Sequence, residues 1–280
     1  MTSPFADTSS QVAETTDDRQ ERNRLWWEIK PMTYADWSAD DRLPENEEDF
    51  RAIETYVLEE SPFLRDWFAR LDLGGRQTLD LGCGSGIFST LLARRGGDVS
   101  AIDLTEAGVN LATRTASVFG VGVQCVRGDA EAQPFADDTF DFVYSWGVLH
   151  HTQNMARAVR EMSRILRPGG RGMMMVYHRN SVVYYLHGLF WLLLRGKLFQ
   201  GHTLRSVQDF YTDGYYHRYL TPKELERLLD AARLTTERFS VTQYKKKILP
   251  FIPSGLDRYL KARFGMCLVA EFAKRGNGHS

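Results

Sequence analysis

A three-glycine turn between an apolar run and a helical run constrains this chain more than any other feature. TLDLGCGSGIFSTLLARR, from Thr78 to Arg95, leaves an apolar segment at Leu81 and passes through Gly82-Cys83-Gly84-Ser85-Gly86. It continues with Ile87, Leu91 and Leu92 at helical spacing. Absent side chains make the turn tight and open its backbone to close approach by a ligand. The same alternation continues downstream. Gln77–Leu81, Val99–Asp103, Val123–Arg127, Phe140–Tyr144 and Gly172–Tyr177 read as strands, with helices over Gly86–Arg95, Thr105–Phe119 and Met155–Leu166. Arg167-Pro168-Gly169-Gly170 stops a helix, and Thr221-Pro222-Lys223-Glu224 starts one with a capping box, running to about Ala232. Thr235–Thr242 and Gly265–Ala273 close the chain as two further strands. Apolar strands alternating with helices predict an α/β fold, a doubly wound parallel sheet covered on both faces.

In such a sheet, ligands bind beyond the carboxyl ends of the strands, where strand order reverses. Asp103 ends the second strand, where its carboxylate can accept from a ribose diol. Asp129 follows the third strand and can accept from an adenine amino group, while the Ala130 N–H reaches a ring nitrogen. Glycine turn, ribose acid and adenine acid together suit an adenosine-containing cofactor. A dinucleotide fingerprint, G-x-G-x-x-G/A, needs a small residue where Ile87 stands. The spacing here is G-x-G-x-G, which disfavours a nicotinamide oxidoreductase.

The segments LDLGCGSG, AIDLT, GDAEAQPFADDTFDFVYSWGVLHH and ILRPGG resemble the class I S-adenosylmethionine-dependent methyltransferases, over roughly Gln77 to Tyr177. The resemblance implies a Rossmann-like seven-stranded sheet with its last strand antiparallel, entering by a hairpin. It implies S-adenosylmethionine as cofactor, with Asp80, Gly82 and Gly84 around its methionine part and Cys83 and Gly86 completing the turn. Leu104 would pack on the adenine, and Ser145 and Trp146 would lie near the sulfonium. Within that family the chain looks closest to the small-molecule enzymes, loosely the ubiquinone/menaquinone methyltransferases. A noncatalytic cofactor-binding protein on the same fold remains a second reading.

Methyl transfer from a sulfonium is an in-line displacement from an already activated donor. Positioning supplies up to about 7–11 kcal/mol in such reactions, and a base is needed only where the acceptor loses a proton. His150 and His151 follow the fourth strand; either is a candidate base, and loop hydrogen bonding is the alternative role. Tyr177 and His178, then Tyr216, His217 and Arg218, are candidates to shape an acceptor pocket or to pin the insertion. Trp27 and Tyr34 belong to an aromatic N-terminal segment, read as short helices broken at Pro31, Pro44 and Pro62, that either covers the site or packs as core.

The expected organisation is a disordered tail over 1–20, a helical cover over 21–70 and a cofactor-binding core over 71–178. A lid-like insertion over 179–220 and a sheet-completing segment over 221–280 follow. The apolar run Val182–Leu194 is shorter than the ~20 residues that span a bilayer. It reads as a packing helix, a lid, or a peripheral membrane contact. Three scattered cysteines show no metal-ligand spacing and suit a reducing, cytoplasmic compartment. A net charge of -1 argues against nucleic acid as partner, and the lid-like insertion with the aromatic N-terminus favours an enclosed site for a small-molecule substrate. The charge is unevenly spread: residues 1–50 carry 13 acids against 5 bases, residues 171–280 carry 18 bases against 8 acids. Either the two ends dock on each other, or the basic half faces something anionic. Lys245-Lys246-Lys247 is too small a patch to decide.

Overall fold

The computed structural model describes residues 16–29, 43–210, 216–242 and 253–276. Tyr34, the Lys245–Lys247 patch and the first 15 residues of the expected tail lie outside them. Three helices open the described chain: α1 (Thr16–Ile29), α2 (Glu47–Glu60) and α3 (Pro62–Arg70). The alternating core follows as β1 (Gln77–Leu81), α4 (Ile87–Arg94), β2 (Asp98–Asp103), α5 (Glu106–Val118), β3 (Val123–Arg127) and β4 (Phe140–Trp146). Then come α6 (Met155–Ile165) and β5 (Leu166–His178). The insertion holds α7 (Val182–Leu189), a π-helical turn (Phe190–Leu194) and α8 (Leu204–Phe210). Next are β6 (Tyr219–Leu220), α9 (Pro222–Ala231), β7 (Leu234–Thr242), α10 (Ser254–Phe264) and β8 (Cys267–Lys274).

The strands lie in the order β3-β2-β1-β4-β5-β8-β7. The first five pair in parallel, and β8 runs antiparallel to both β5 and β7. Chain direction across the sheet reverses between β1 and β4, so a crevice opens at their carboxyl ends. Two apolar layers flank the sheet. Val159, Met162, Leu225 and Leu229 fill one face, and Leu64, Trp67, Phe68, Phe88 and Tyr144 fill the other. The sheet is therefore covered on both sides, as its apolar strands require.

Local signals mostly fall where the sequence puts them. Thr221 accepts from Glu224 N while the Glu224 carboxylate accepts from Thr221 N, with Pro222 in the first turn. Strand five differs: it begins at Leu166, not Gly172, because Leu166 pairs with Phe140 and the Arg167–Gly170 stretch bulges out between two registers. Strand four runs on to Trp146, paired with Met175. The two-residue β6 beside β5 has no periodicity to announce it. The last two strands are joined through α10, not by a tight hairpin. Among the described residues, no helix is long and apolar enough to cross a membrane.

Candidate active site

The glycine turn occupies the crevice. Gly82, Gly84 and Gly86 all have positive φ, of 80°, 48° and 75°. At two of them the packing forbids any side chain. A Cβ on Gly82 would lie 2.3 Å from Val148 Cγ2, and one on Gly86 would lie 2.5 Å from Ala112 Cα. The first closeness brings the loop after β4 against the turn; the second seats α4 on α5.

Asp103 ties the turn to the next helix. Its Oδ2 accepts from Gly84 N at 2.9 Å, and its Oδ1 accepts from Thr105 N and Oγ1 at 2.9 and 2.7 Å. Thr105 in turn caps α5. Leu104, half-buried, sits between them. Asp129 Oδ1 accepts from Glu131 N at 2.8 Å, shaping the turn after β3, and Ala130 is buried there. Asp80 is buried, accepts from Ser89 Oγ at 2.5 Å, and is raised to about 7, chiefly by burial. Burial also pushes the Cys83 thiol well up. Ser145 and Trp146 turn inward: Ser145 Oγ donates to Leu81 O at 3.1 Å, and the Trp146 ring packs on Phe63, Phe88 and Tyr144.

Beyond Val148 stands a cluster of rings. His150 is fully buried, its ring centroid 4.1 Å from His151 and 4.0 Å from Tyr177. Neither of its ring nitrogens has a hydrogen-bond partner among the described residues. His217, also buried, approaches His151 at 6.0 Å and Tyr177 at 5.5 Å. His151 Nδ1 donates to Tyr216 O at 3.0 Å. Arg218 donates through Nη2 to the Thr152 and Gln153 carbonyls. His178 is not part of this cluster: it is buried and donates through Nδ1 to Gly265 O. Sequence reasoning placed it on the rim; the strand pairing of its neighbours turns it toward β8.

Helix α1 bridges the two ends of this arrangement. Trp27 meets His151 edge-on at 5.5 Å. Asn23, buried, donates to His151 O and Tyr216 O at 2.8 and 3.2 Å and accepts from Tyr216 N at 2.7 Å. One turn on, the Glu28 carboxylate accepts from Glu106 N and Ala107 N at the start of α5. Carboxylates are favoured at such helix starts. Glu131 Oε1 accepts from Asn154 N at 2.7 Å and steadies the loop carrying His150. Sequence reasoning missed Asn23, Glu28 and Glu131. Each looks locally like an ordinary polar helix or turn residue, and only its distant partner gives it meaning.

Burial holds His150 well below the ordinary imidazole range, with His151, His217 and Arg218 adding to the effect. Burial likewise lowers His151 from 6.5 to about 4, against the opposing Tyr216 carbonyl. Between these values the unfolded chain binds protons that the folded one refuses, so both residues cost stability as pH falls from 6.5 toward 4. Asp80 has the opposite sign: it keeps its proton in the fold from 3.8 to about 7, so its contribution is lost as pH rises through that window. Denaturant titration from pH 7 to 4 is expected to show a shallower acid loss for His151→Gln, by about 2–3 kcal/mol at the acid end. Asp80→Asn is expected to steepen that loss.

A family model described as a methyltransferase domain matches residues 79–174, from within β1 to within β5. The ubiquinone biosynthesis O-methyltransferase of Aeromonas salmonicida is 28% identical over 187 residues, 66% of this chain and 74% of that protein. The protein of the same name from Methylocella silvestris is 30% identical over 171 residues, 61% of this chain and 62% of its own length. The crystal structure of an S-adenosylmethionine-dependent methyltransferase from Mesorhizobium loti superposes with a TM-score of 0.55 at 21% identity. That match covers 76% of this chain and 96% of the other, a likeness of fold. The chain carries a methyltransferase domain over residues 79–174, on a fold shared with S-adenosylmethionine-dependent methyltransferases.

Proposed function

We propose that this protein methylates a hydroxyl of a small, moderately apolar molecule held beneath α1, with His150 receiving the hydroxyl proton. S-adenosylmethionine supplies the activated methyl group when bound. The residues present suit that cofactor. The turn is a cradle that a Cβ at Gly82 or Gly86 would fill, Asp103 and Asp129 cap adjacent strands, and Asp80 lies buried behind the turn. In this reading Asp103 holds the ribose hydroxyls, and Asp129 and Ala130 read the adenine edge. Leu104 packs on the ring, while the backbone of Gly82 to Gly86 and of Ser145 and Trp146 borders the methionine end. Asn23, Glu28 and Trp27 hold α1 across the crevice and exclude water from it.

One observation carries the acceptor assignment: a fully buried imidazole, uncharged near neutrality, with no hydrogen-bond partner among the described residues at either nitrogen. Buried polar groups are nearly always paired, so an unpaired one marks a place where a ligand completes the set. An oxygen acceptor agrees with the O-methyltransferase names of the relatives. Tyr177, His217 and the Tyr216 backbone wall that side, and Arg218 holds the segment in place.

Calorimetry with S-adenosylmethionine tests the cofactor half, and the absence of binding at high concentration refutes it. For the acceptor half, labelled methyl transfer is screened over phenols and polyprenylated phenols. His150→Phe is expected to lower kcat by about 10²–10⁴-fold. Cofactor affinity should stay unchanged. An unaltered kcat removes His150 from the chemistry.

A second reading, work at a lipid surface, is favoured by one observation. Leu186, Leu189, Phe190, Leu193 and Leu194 of α7 and the π-turn, with Leu198 and Phe199, are exposed along the insertion. Arg195 and Lys197 lie within the same stretch, and apolar residues flanked by bases suit an anionic interface. Flotation with phosphatidylglycerol vesicles separates the two: a protein that never floats works on a freely dissolved acceptor.

A further inference from the structure

Among the described residues, the positive charge of the C-terminal half is not paired with the N-terminal acids. No ion pair between two described residues joins residues 16–50 to residues 171–276. Part of that charge is gathered at one place. A cavity of about 520 Å³ opens between the insertion, β6 and α9, and Arg179, Arg205, Arg218 and Arg227 all line it. Glu224 is the single carboxylate of the lining, and it is already engaged. Its Oε1 accepts from Arg179 Nη1 at 2.7 Å, and its Oε2 accepts from Thr221 N and Oγ1 at 2.8 and 2.9 Å.

The other guanidiniums keep donors to spare. Arg205 and Arg227 are exposed and make no hydrogen bond or ion pair with any described residue. Arg218 uses Nη2 on Thr152 O, Gln153 O and the Tyr216 hydroxyl, while its Nε is buried without a hydrogen-bond partner. Three cations in one concavity, with no acid among the described lining residues left to answer them, repel one another unless an anion enters. A single carboxylate needs one guanidinium fork; three or four forks match the several oxygens and the double charge of a phosphate. All four bases are arginine and none lysine, the choice that planar, bidentate recognition of phosphate favours. Tyr184, Tyr216 and Leu228 complete the wall with aromatic and apolar surface, which suits a phosphate carried on an organic scaffold.

We propose that this cavity binds the phosphate or diphosphate group of a ligand. The site is separate from the glycine turn, none of whose residues lines it. It shares Tyr216 and Arg218 with the wall of the proposed acceptor site, but Arg205 and Arg227 belong to this cavity alone, and a test through them needs no methyl donor.

The full chain is titrated with inorganic pyrophosphate at low ionic strength, followed by calorimetry. Saturable binding to one site is expected. Arg205→Ala with Arg227→Ala is expected to weaken it at least tenfold while leaving the thermal midpoint unchanged, because neither side chain has a partner to lose. A control pair, Arg76→Ala with Arg160→Ala, removes the same charge from exposed positions elsewhere and is expected to bind within twofold of the parent. Absence of saturable heat, equal weakening in both pairs, or displacement of pyrophosphate by an equal concentration of acetate each overturns the proposal. Two further arms assign the source of the phosphate. Displacement by glycerol 3-phosphate without flotation on phosphatidylglycerol vesicles supports a dissolved phosphorylated metabolite. Flotation on those vesicles, but not on phosphatidylcholine, that Arg205→Ala with Arg227→Ala abolishes supports a lipid headgroup.

Discussion

Gly82→Ala is expected to destabilise the protein by about 2–5 kcal/mol and to abolish measurable cofactor binding at ordinary concentrations. Two effects add. The residue sits at φ 80°, where a side chain costs about 1–2 kcal/mol. The new methyl group would also lie 2.3 Å from Val148 Cγ2, 2.6 Å from its Cγ1 and 2.9 Å from its Cβ. Valine has little rotamer freedom with which to step aside. Overpacking of this kind costs about 1–3 kcal/mol, and the turn or the loop after β4 must shift to relieve it. Because Val148 leads directly to His150, a shift there moves both sides of the crevice together. Denaturant unfolding of Gly82→Ala alone and with Val148→Ala separates the effects. The double variant should recover the steric part and keep the backbone part. No recovery at all means that Val148 is not what the glycine makes room for.

Asp103→Ala is expected to weaken S-adenosylmethionine binding by about 1–3 kcal/mol, roughly fivefold to more than a hundredfold. It should also lower stability by a similar amount. The carboxylate accepts three hydrogen bonds, from Gly84 N, Thr105 N and Thr105 Oγ1. Truncation leaves these donors unanswered and frees the glycine turn from the start of α5. Asp103→Asn is no rescue, because both carboxylate oxygens already face donors and an amide presents its NH₂ to one side. Asp129→Ala is expected to lose comparable affinity with a smaller loss of stability, since it shapes a local turn. Calorimetry and chemical unfolding on the same three variants check this. If Asp103→Asn behaves as the parent protein, the bidentate role assigned to Asp103 is wrong.

Much of the molecule was legible in its sequence because the features concerned are local. A glycine turn, a capping box, an acid at a strand end and an apolar period each depend on residues a few positions apart. Hence the elements from β1 to β5 could be reached from the residues alone, and the family resemblance that those residues carry implied the antiparallel last strand. Ser145 and Trp146 show where that reasoning stops. A strand-end position says which residue lies at the rim, whereas the packing around it decides whether the side chain faces the crevice or the core. Here the Leu81 carbonyl and the Phe63, Phe88 and Tyr144 rings draw both inward.

What the sequence determined by itself, then, is the order of strands and helices, the glycine turn and the acids flanking it, since short-range stereochemistry dictates all three. The tertiary structure alone decided that α1 lies over the crevice, that His150 is buried without a hydrogen-bond partner among the described residues, that His178 turns to Gly265, and that four arginines meet in one cavity. Those outcomes rest on contacts between distant parts of the chain: Asn23 meets Tyr216 across 193 positions and His178 meets Gly265 across 87. No window on the sequence is wide enough to contain such pairs. Their geometry exists only once the sheet has brought the strand ends to one edge.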